Sequence, residues 1–349
     1  MDDLRDPNEF PAGDGMPAAG NPPAAPSPDG DAHARAERTA QVRRYILEEL
    51  GFDLVGFAPA ARMQEEGVRY EEWIARGFHG SMEWMERNAD RRADIREILP
   101  SARSVIVVAR NYYTPHQHPQ DAEHAKISRY AWGRDYHNIL PKKLKALHRF
   151  LQTLDPAAES RWYVDTGPVL EKQWAVRAGL GWMGKHTNVI TRSHGSWVFL
   201  GVLISSLSFD YTPSIPDFCG NCTRCIDACP TDAIIAPYQL DGTRCISYIT
   251  IEQKPKDELP PELGRQMENW AFGCDICQDV CPWNRFQQET DEIAFQPREG
   301  VLDLTIAQLR DMSDEEFQSR FQGSPVRRAT ADGMRRNARA IEQDRDIRF

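Results

Sequence analysis

The sequence predicts an α+β protein: a mixed α/β domain, then a cysteine-rich segment, then a short helical tail. Two observations carry this reading. All eight cysteines among the 349 residues fall between Cys219 and Cys281, and the residues before them alternate between solid apolar runs and helical periods. Composition divides the chain into a leader over 1–37, an α/β domain over 38–210, the cysteine segment over 211–290 and an arginine-rich helical segment over 291–349.

The first 30 residues hold seven prolines and four glycines with almost no large apolar side chain, the composition of a disordered leader. Only Arg5 occurs before Arg35, so a twin-arginine export signal is not expected. Order is expected from Arg38, where Val42, Tyr45, Ile46 and Leu50 follow helical spacing and Gly51 gives a stop. Phe52 to Ala58 and Ser104 to Ala109 read as strands, the second without polar alternation, as in a strand covered on both faces. Trp162 to Val164 and Trp197 to Leu207 supply two more strands, and Lys142 to Leu154 and Val169 to Ala178 are patterned as helices. No uncharged run is long enough to span a membrane, so no membrane partner is expected.

The cysteines stand as Cys219-x2-Cys222-x2-Cys225-x3-Cys229-Pro230, then Cys245, then Cys274-x2-Cys277-x3-Cys281-Pro282. Ferredoxins with two 4Fe-4S clusters use the run C-x2-C-x2-C-x3-C-P and send its fourth cysteine to the other cluster. On that pattern one cluster takes Cys219, Cys222, Cys225 and Cys281, and the other takes Cys229, Cys245, Cys274 and Cys277. Disulfides favour small secreted domains, and a zinc tetrahedron has no use for a triple C-x2-C-x2-C followed by Cys-Pro. The segment therefore reads as ferredoxin-like. Oxygen-sensitive clusters point to the cytoplasm.

Three stretches of the α/β domain carry polar residues that packing alone does not ask for. Ser128-Arg-Tyr-Ala-Trp-Gly-Arg-Asp-Tyr-His137 places Asp135 among aromatics, where a desolvated carboxyl keeps its proton and acts as an acid; an ion pair with Arg129 or Arg134 is the plainer reading. Val164-Asp-Thr-Gly-Pro168 ends a strand in polar residues, as at ligand sites of open α/β sheets. Arg177-Ala-Gly-Leu-Gly-Trp-Met-Gly-Lys-His-Thr-Asn188 has glycines that permit close backbone approach, but lacks the strand-then-helix context of a dinucleotide fingerprint. Lys185 reads equally well as a solvated lysine.

These stretches, with Gly195-Ser-Trp-Val-Phe-Leu200 and the cysteine array in the same order, resemble epoxyqueuosine reductase from about Arg38 onward. The resemblance implies that the α/β domain binds cobalamin and that the enzyme reduces the epoxide of epoxyqueuosine, at the wobble position of tRNA, to queuosine, with electrons from the two clusters. It implies Asp135 as proton donor. Cobalamin contacts would fall on Arg92, Ser128, Asp135, Thr166, Ile190, Gly201, Ser247 and Asp275. Asp135-Tyr-His137 departs from the Asp-x-His-x-x-Gly cobalt-ligating motif, since Leu140 stands where glycine would, so His137 is expected to hydrogen-bond rather than ligate. A low-potential electron donor is implied, and a monomer is expected.

Charge tests the RNA expectation. Forty-two basic against 52 acidic residues give a net charge of −10, the wrong sign for a generic nucleic-acid binder. The stretch from Ser319 to Phe349 instead holds eight arginines against four acids, and Arg327, Arg328, Arg335 and Arg336 are its candidates for phosphate contact; a solvated amphipathic helix is the plainer reading. Helical repeats that in many relatives grip the anticodon stem are not expected, because the chain stops at Phe349. A cobalamin-dependent reductive dehalogenase and a corrinoid-activating electron-transfer protein are the competing functions. Dehalogenases usually carry the export leader not expected here.

Overall fold

The computed structural model describes residues 28–257 and 259–346. Its centre is an antiparallel sheet of four strands, in the spatial order Leu54–Pro59, Ser104–Asn111, Val198–Ser205, Ser160–Tyr163. Val55 pairs with Val108, and Val107 pairs with Val202.

Every residue of Ser104–Asn111 is buried, and the two-residue period of a strand explains why its sequence shows no polar alternation. Ile106 and Val108 face a core containing Leu140, Leu144, Leu147 and Leu151 of the helix Leu140–Leu154. Val105, Val107 and Ala109 face the opposite core, with Trp174 and Ala175 of the helix Glu171–Arg177. The strands run antiparallel throughout. The strand-end rule for open parallel sheets therefore does not explain the Asp165 stretch, whose position is set by the turn leaving the edge strand Ser160–Tyr163.

The first helix runs from Pro28 to Arg44 and continues into a π-helical turn over Tyr45–Glu49. It starts ten residues before the expected boundary at Arg38. Residues 1–27 of the expected leader lie outside the described residues. Two arginines tether the early helix: Arg35 Nε donates to Asp210 Oδ1 at 2.7 Å, and Arg38 donates to the Ser208 carbonyl at 3.0 Å. Val42 and Ile46 close the helix onto the sheet core.

A third core crosses the boundaries read from composition. It joins Ala125, Ile127, Ala131 and Trp132 to Ile249, Met267 and Phe272 of the cysteine segment, and to Leu309, Phe317, Phe321, Met334 and Ile341 of the tail. The strand Trp270–Phe272 pairs in parallel with Lys126–Ile127. The tail is thus built into the molecule.

Candidate functional site

The eight cysteines sit on short elements. Cys225 lies in the helical turn Arg224–Asp227, Cys245 precedes Ile246–Ile251, Cys277 lies in Ile276–Asp279 and Cys281 precedes the turn Pro282–Phe286. All eight are free thiols.

Their electrostatic neighbours fall into two groups. Cys225 senses Cys281, Cys219 and Cys222. Cys277 senses Cys245 and Cys229, and Cys274 senses Cys277 and Cys245. The groups are adjacent, because Cys277 also senses Cys225. Burial pushes the Cys225 thiol up to about 11, so without iron this sulfur holds its proton, whereas bound metal would deprotonate it. Backbone N–H groups point at the sulfurs, as in Ala233 N–H to Cys229 Sγ at 3.3 Å. Such bonds tune the potential of a bound cluster. A pair of cubanes fits this donor set of two fours.

Asp135 caps the turn Tyr136–Asn138. Its Oδ1 accepts the His137 amide at 2.9 Å and lies 2.8 Å from His137 Nδ1. The carboxylate faces His137, not Arg129 or Arg134. Arg129 is instead buried: it donates to the Thr114 and His116 carbonyls and lies over the rings of Tyr113, Trp132 and Trp197. His137 Nε2 lies 4.0 Å from Asp165 Oδ2, which accepts the Tyr136 hydroxyl at 2.7 Å.

Asp165 is in the left-handed region at φ 59°, a conformation uncommon outside glycine and concentrated at functional sites. Its amide donates to Glu171 Oε1 at 3.0 Å. Burial, together with the negative charge of Asp165, raises Glu171 to about 8. Beside it Lys172 donates to the Thr187 carbonyl at 3.1 Å and to Asn188 Oδ1 at 2.8 Å. Its surroundings push its ammonium down while Asp165, Cys277 and Cys245 oppose that shift. Lys172 is exposed, and the charges it senses place it between the Asp165 turn and the second cysteine group.

The expected cobalamin contacts divide. Thr166 is exposed beside Asp165, and Arg92 is buried with an unpartnered Nε, its NH1 3.4 Å from the Gly167 carbonyl. Both lie at the Asp165 turn. Ser247 hydrogen-bonds the Cys245 sulfur. Ser128 and Asp275 satisfy each other: Ser128 Oγ donates to Asp275 Oδ1 at 2.5 Å, and the Arg129 amide donates to Asp275 Oδ2 at 2.7 Å. Since Asp275 follows Cys274, this pair ties the stretch bearing Asp135 to the second cysteine group.

Gly201 faces the core. It lies in mid-strand, where an added Cβ would stand 3.1 Å from both Leu144 and Val108. Ile190 is fully buried as well. The glycines of the third stretch admit the chain's own backbone rather than a ligand: a Cβ at Gly181 would fall 2.0 Å from the Ile190 carbonyl oxygen. Lys185 is not a solvated lysine; it is buried and donates to the Gly220 carbonyl at 2.6 Å and the Cys222 carbonyl at 3.0 Å, pinning the first cysteine loop.

Of the four arginines, Arg327 is exposed. Arg328 is also exposed; it pairs through Nε and NH2 with Glu252 at 3.0 and 2.9 Å and stacks over Trp84 at 5.1 Å. Arg335 is engaged by Asp314 at 2.8 Å and Asp332 at 2.5 Å. Arg336 is a correction to the phosphate expectation. It is buried and donates to the Ile249, Gln253 and Lys254 carbonyls. Arg336→Met strips three carbonyls of their donor and is expected to cost about 2–4 kcal/mol, read by chemical unfolding. Unchanged stability would show these bonds to be dispensable.

Glu171 and Lys172 escaped the sequence reading because an adjacent acid–base pair at a helix start looks like a solvated first turn. The only signal was their place directly after Val164-Asp-Thr-Gly-Pro168.

The family model "Epoxyqueuosine reductase QueG, DUF1730" matches residues 92–166, and a "4Fe-4S double cluster binding domain" matches residues 218–284. An epoxyqueuosine reductase of Synechocystis sp. is 48% identical over 289 residues, covering 82% of this chain and 99% of that protein. One of Cellulophaga algicola is 44% identical over 288 residues, covering 82% and 93%. Among solved structures, epoxyqueuosine reductase with an epoxyqueuosine-modified tRNA-Tyr stem loop superposes with a TM-score of 0.80 at 30% identity, covering 87% of this chain and 80% of that one.

Proposed function

The chain belongs to the epoxyqueuosine reductase family, and from that premise we propose that it reduces epoxyqueuosine to queuosine in tRNA. The observation that carries this is Asp135 held on His137, itself 4.0 Å from Asp165, in a chain whose eight cysteines fall into two groups of four. Cys219, Cys222, Cys225 and Cys281 would hold one 4Fe-4S cluster, and Cys229, Cys245, Cys274 and Cys277 the other.

Cobalamin supplies low-potential chemistry at carbon when bound. Arg92, Thr166 and Ser247 would hold it, with Ser128 and Asp275 acting through each other to fix the site. The unpartnered Nε of Arg92 and the exposed Thr166 offer polar groups that suit a macrocycle edged with amides. Asp135 donates a proton to the epoxide oxygen, and the carboxylate it becomes is stabilised by the His137 amide and Nδ1–H.

Electrons enter from a low-potential one-electron donor through the first cluster, whose thiols adjoin those of the second. Arg327 and Arg328 contact the tRNA backbone, Arg328 by exchanging Glu252 for phosphate. The cytoplasm is the proposed compartment and a monomer the proposed state. Among the described residues no helix is long and apolar enough to cross a membrane.

The test is mass spectrometry of nucleosides from epoxyqueuosine-containing tRNA, incubated anaerobically with protein carrying both clusters, cobalamin and a low-potential reductant. The expected product lacks one oxygen and forms only with cobalamin present. No conversion by fully loaded protein overturns the reading.

A further inference from the structure

Converting an epoxide to an alkene and water consumes two electrons and two protons. Both C–O bonds break, the carbons are reduced to the double bond, and the oxygen leaves carrying both protons. The electrons come from the reductant through the cofactors. Asp135 has one proton to give, so the second must reach the same oxygen within the same turnover.

Resting on the function proposed above, we infer that His137 and Asp165 form a relay that reloads Asp135 from solvent. His137 Nδ1 lies 2.8 Å from Asp135 Oδ1, and Nε2, on the other edge of the ring, lies 4.0 Å from Asp165 Oδ2. The first distance is a hydrogen bond; the second suits one bridging water. Side-chain exposure rises along the path, from 23% at Asp135 through 33% at His137 to 70% at Asp165.

The ring is held in place. Tyr136 packs against the His137 ring with centroids 4.1 Å apart and stacks on Phe199 at 4.2 Å, while its hydroxyl fixes the same Asp165 Oδ2 that faces Nε2. Asp165 sits in a left-handed turn, and the half-buried Glu171 carboxyl beside it is raised to about 8 by desolvation and the Asp165 charge. In each reload, His137 Nδ1–H passes to the Asp135 carboxylate while Nε2 takes a proton from water held by Asp165, and a solvent proton neutralises the hydroxide left behind. The ring is then the neutral Nε2–H tautomer; it gives that proton up to solvent and regains one at Nδ1 before the next reload, and no electron moves.

A His137 that only orients Asp135 would use Nδ1 alone. Asparagine at this position still offers an N–H toward Asp135 but cannot take up and release a proton. In the enzyme loaded with both clusters and cobalamin, His137→Asn is expected to lower kcat by about 100-fold, the lower end of general acid–base contributions, with KM for the tRNA stem loop unchanged and kcat restored by added imidazole. Asp165→Asn, at an exposed side chain, should lower kcat by a smaller factor. In the protein without cofactors, 15N NMR of the His137 ring should show a hydrogen-bonded Nδ1 proton, with ring signals that move in both Asp135→Asn and Asp165→Asn.

A kcat for His137→Asn within about twofold of wild type, far short of a general acid–base contribution, overturns the relay. So does a loss that imidazole leaves untouched, or a ring signal blind to Asp165→Asn. Wild-type protein that makes no queuosine fails the functional reading instead. An active wild type with an inactive Asp135→Asn and an unaffected His137→Asn removes the relay alone.

Discussion

Asp135→Asn is expected to retain both clusters and bound cobalamin while kcat falls by about 10²–10⁴-fold, the range for loss of a general acid. The amide oxygen of asparagine can still accept the His137 amide, now 2.9 Å from Asp135 Oδ1, so the turn Tyr136–Asn138 keeps its cap. What disappears is an acidic proton at the site. Single-turnover assays with iron and cobalamin quantified in the same sample separate the two effects. Full turnover by the variant would remove Asp135 as donor.

Cys225→Ala is expected to cost one whole cluster, reducing iron from about eight to about four per chain. Cys225 is buried and senses the other three thiols of its group, so no exposed ligand from solvent replaces it easily. The second group should still load, and its low-temperature EPR signal should persist when electrons are supplied by a strong reductant. If the first cluster is the entry point for electrons, as proposed, turnover with a one-electron carrier stops. An unaltered iron content refutes the assignment of Cys225 as a ligand.

The sheet was legible where physics leaves little choice. Val105 to Ala109 is apolar throughout because helices cover both faces of its strand, and Leu140–Leu154 shows its buried leucines at helical spacing. The cysteine grouping was legible because cluster chemistry dictates spacing. The helix start at Pro28 was not, since proline and glycine upstream masked the good helix formers of Ala32–Ala36, and the tethers on Asp210 and Ser208 are distant in sequence. Arg336 looked like a phosphate ligand because an arginine stapling carbonyls and one facing RNA have the same local sequence. Gly201 and Ile190 look alike whether they face a ligand or a core. The His137–Asp165 approach joins residues 28 apart through a fold the sequence does not spell out locally.

The third core has a consequence for how the molecule is made. Ile249 and Phe272, which flank cysteines of the second group, pack with Met334 and Ile341 of the last described helix. Those partners lie 53 and 60 residues after Cys281 in the chain, so during synthesis this core stays incomplete until the last described helix has been made. Packing beside the second cysteine group thus waits on residues at the far end of the chain.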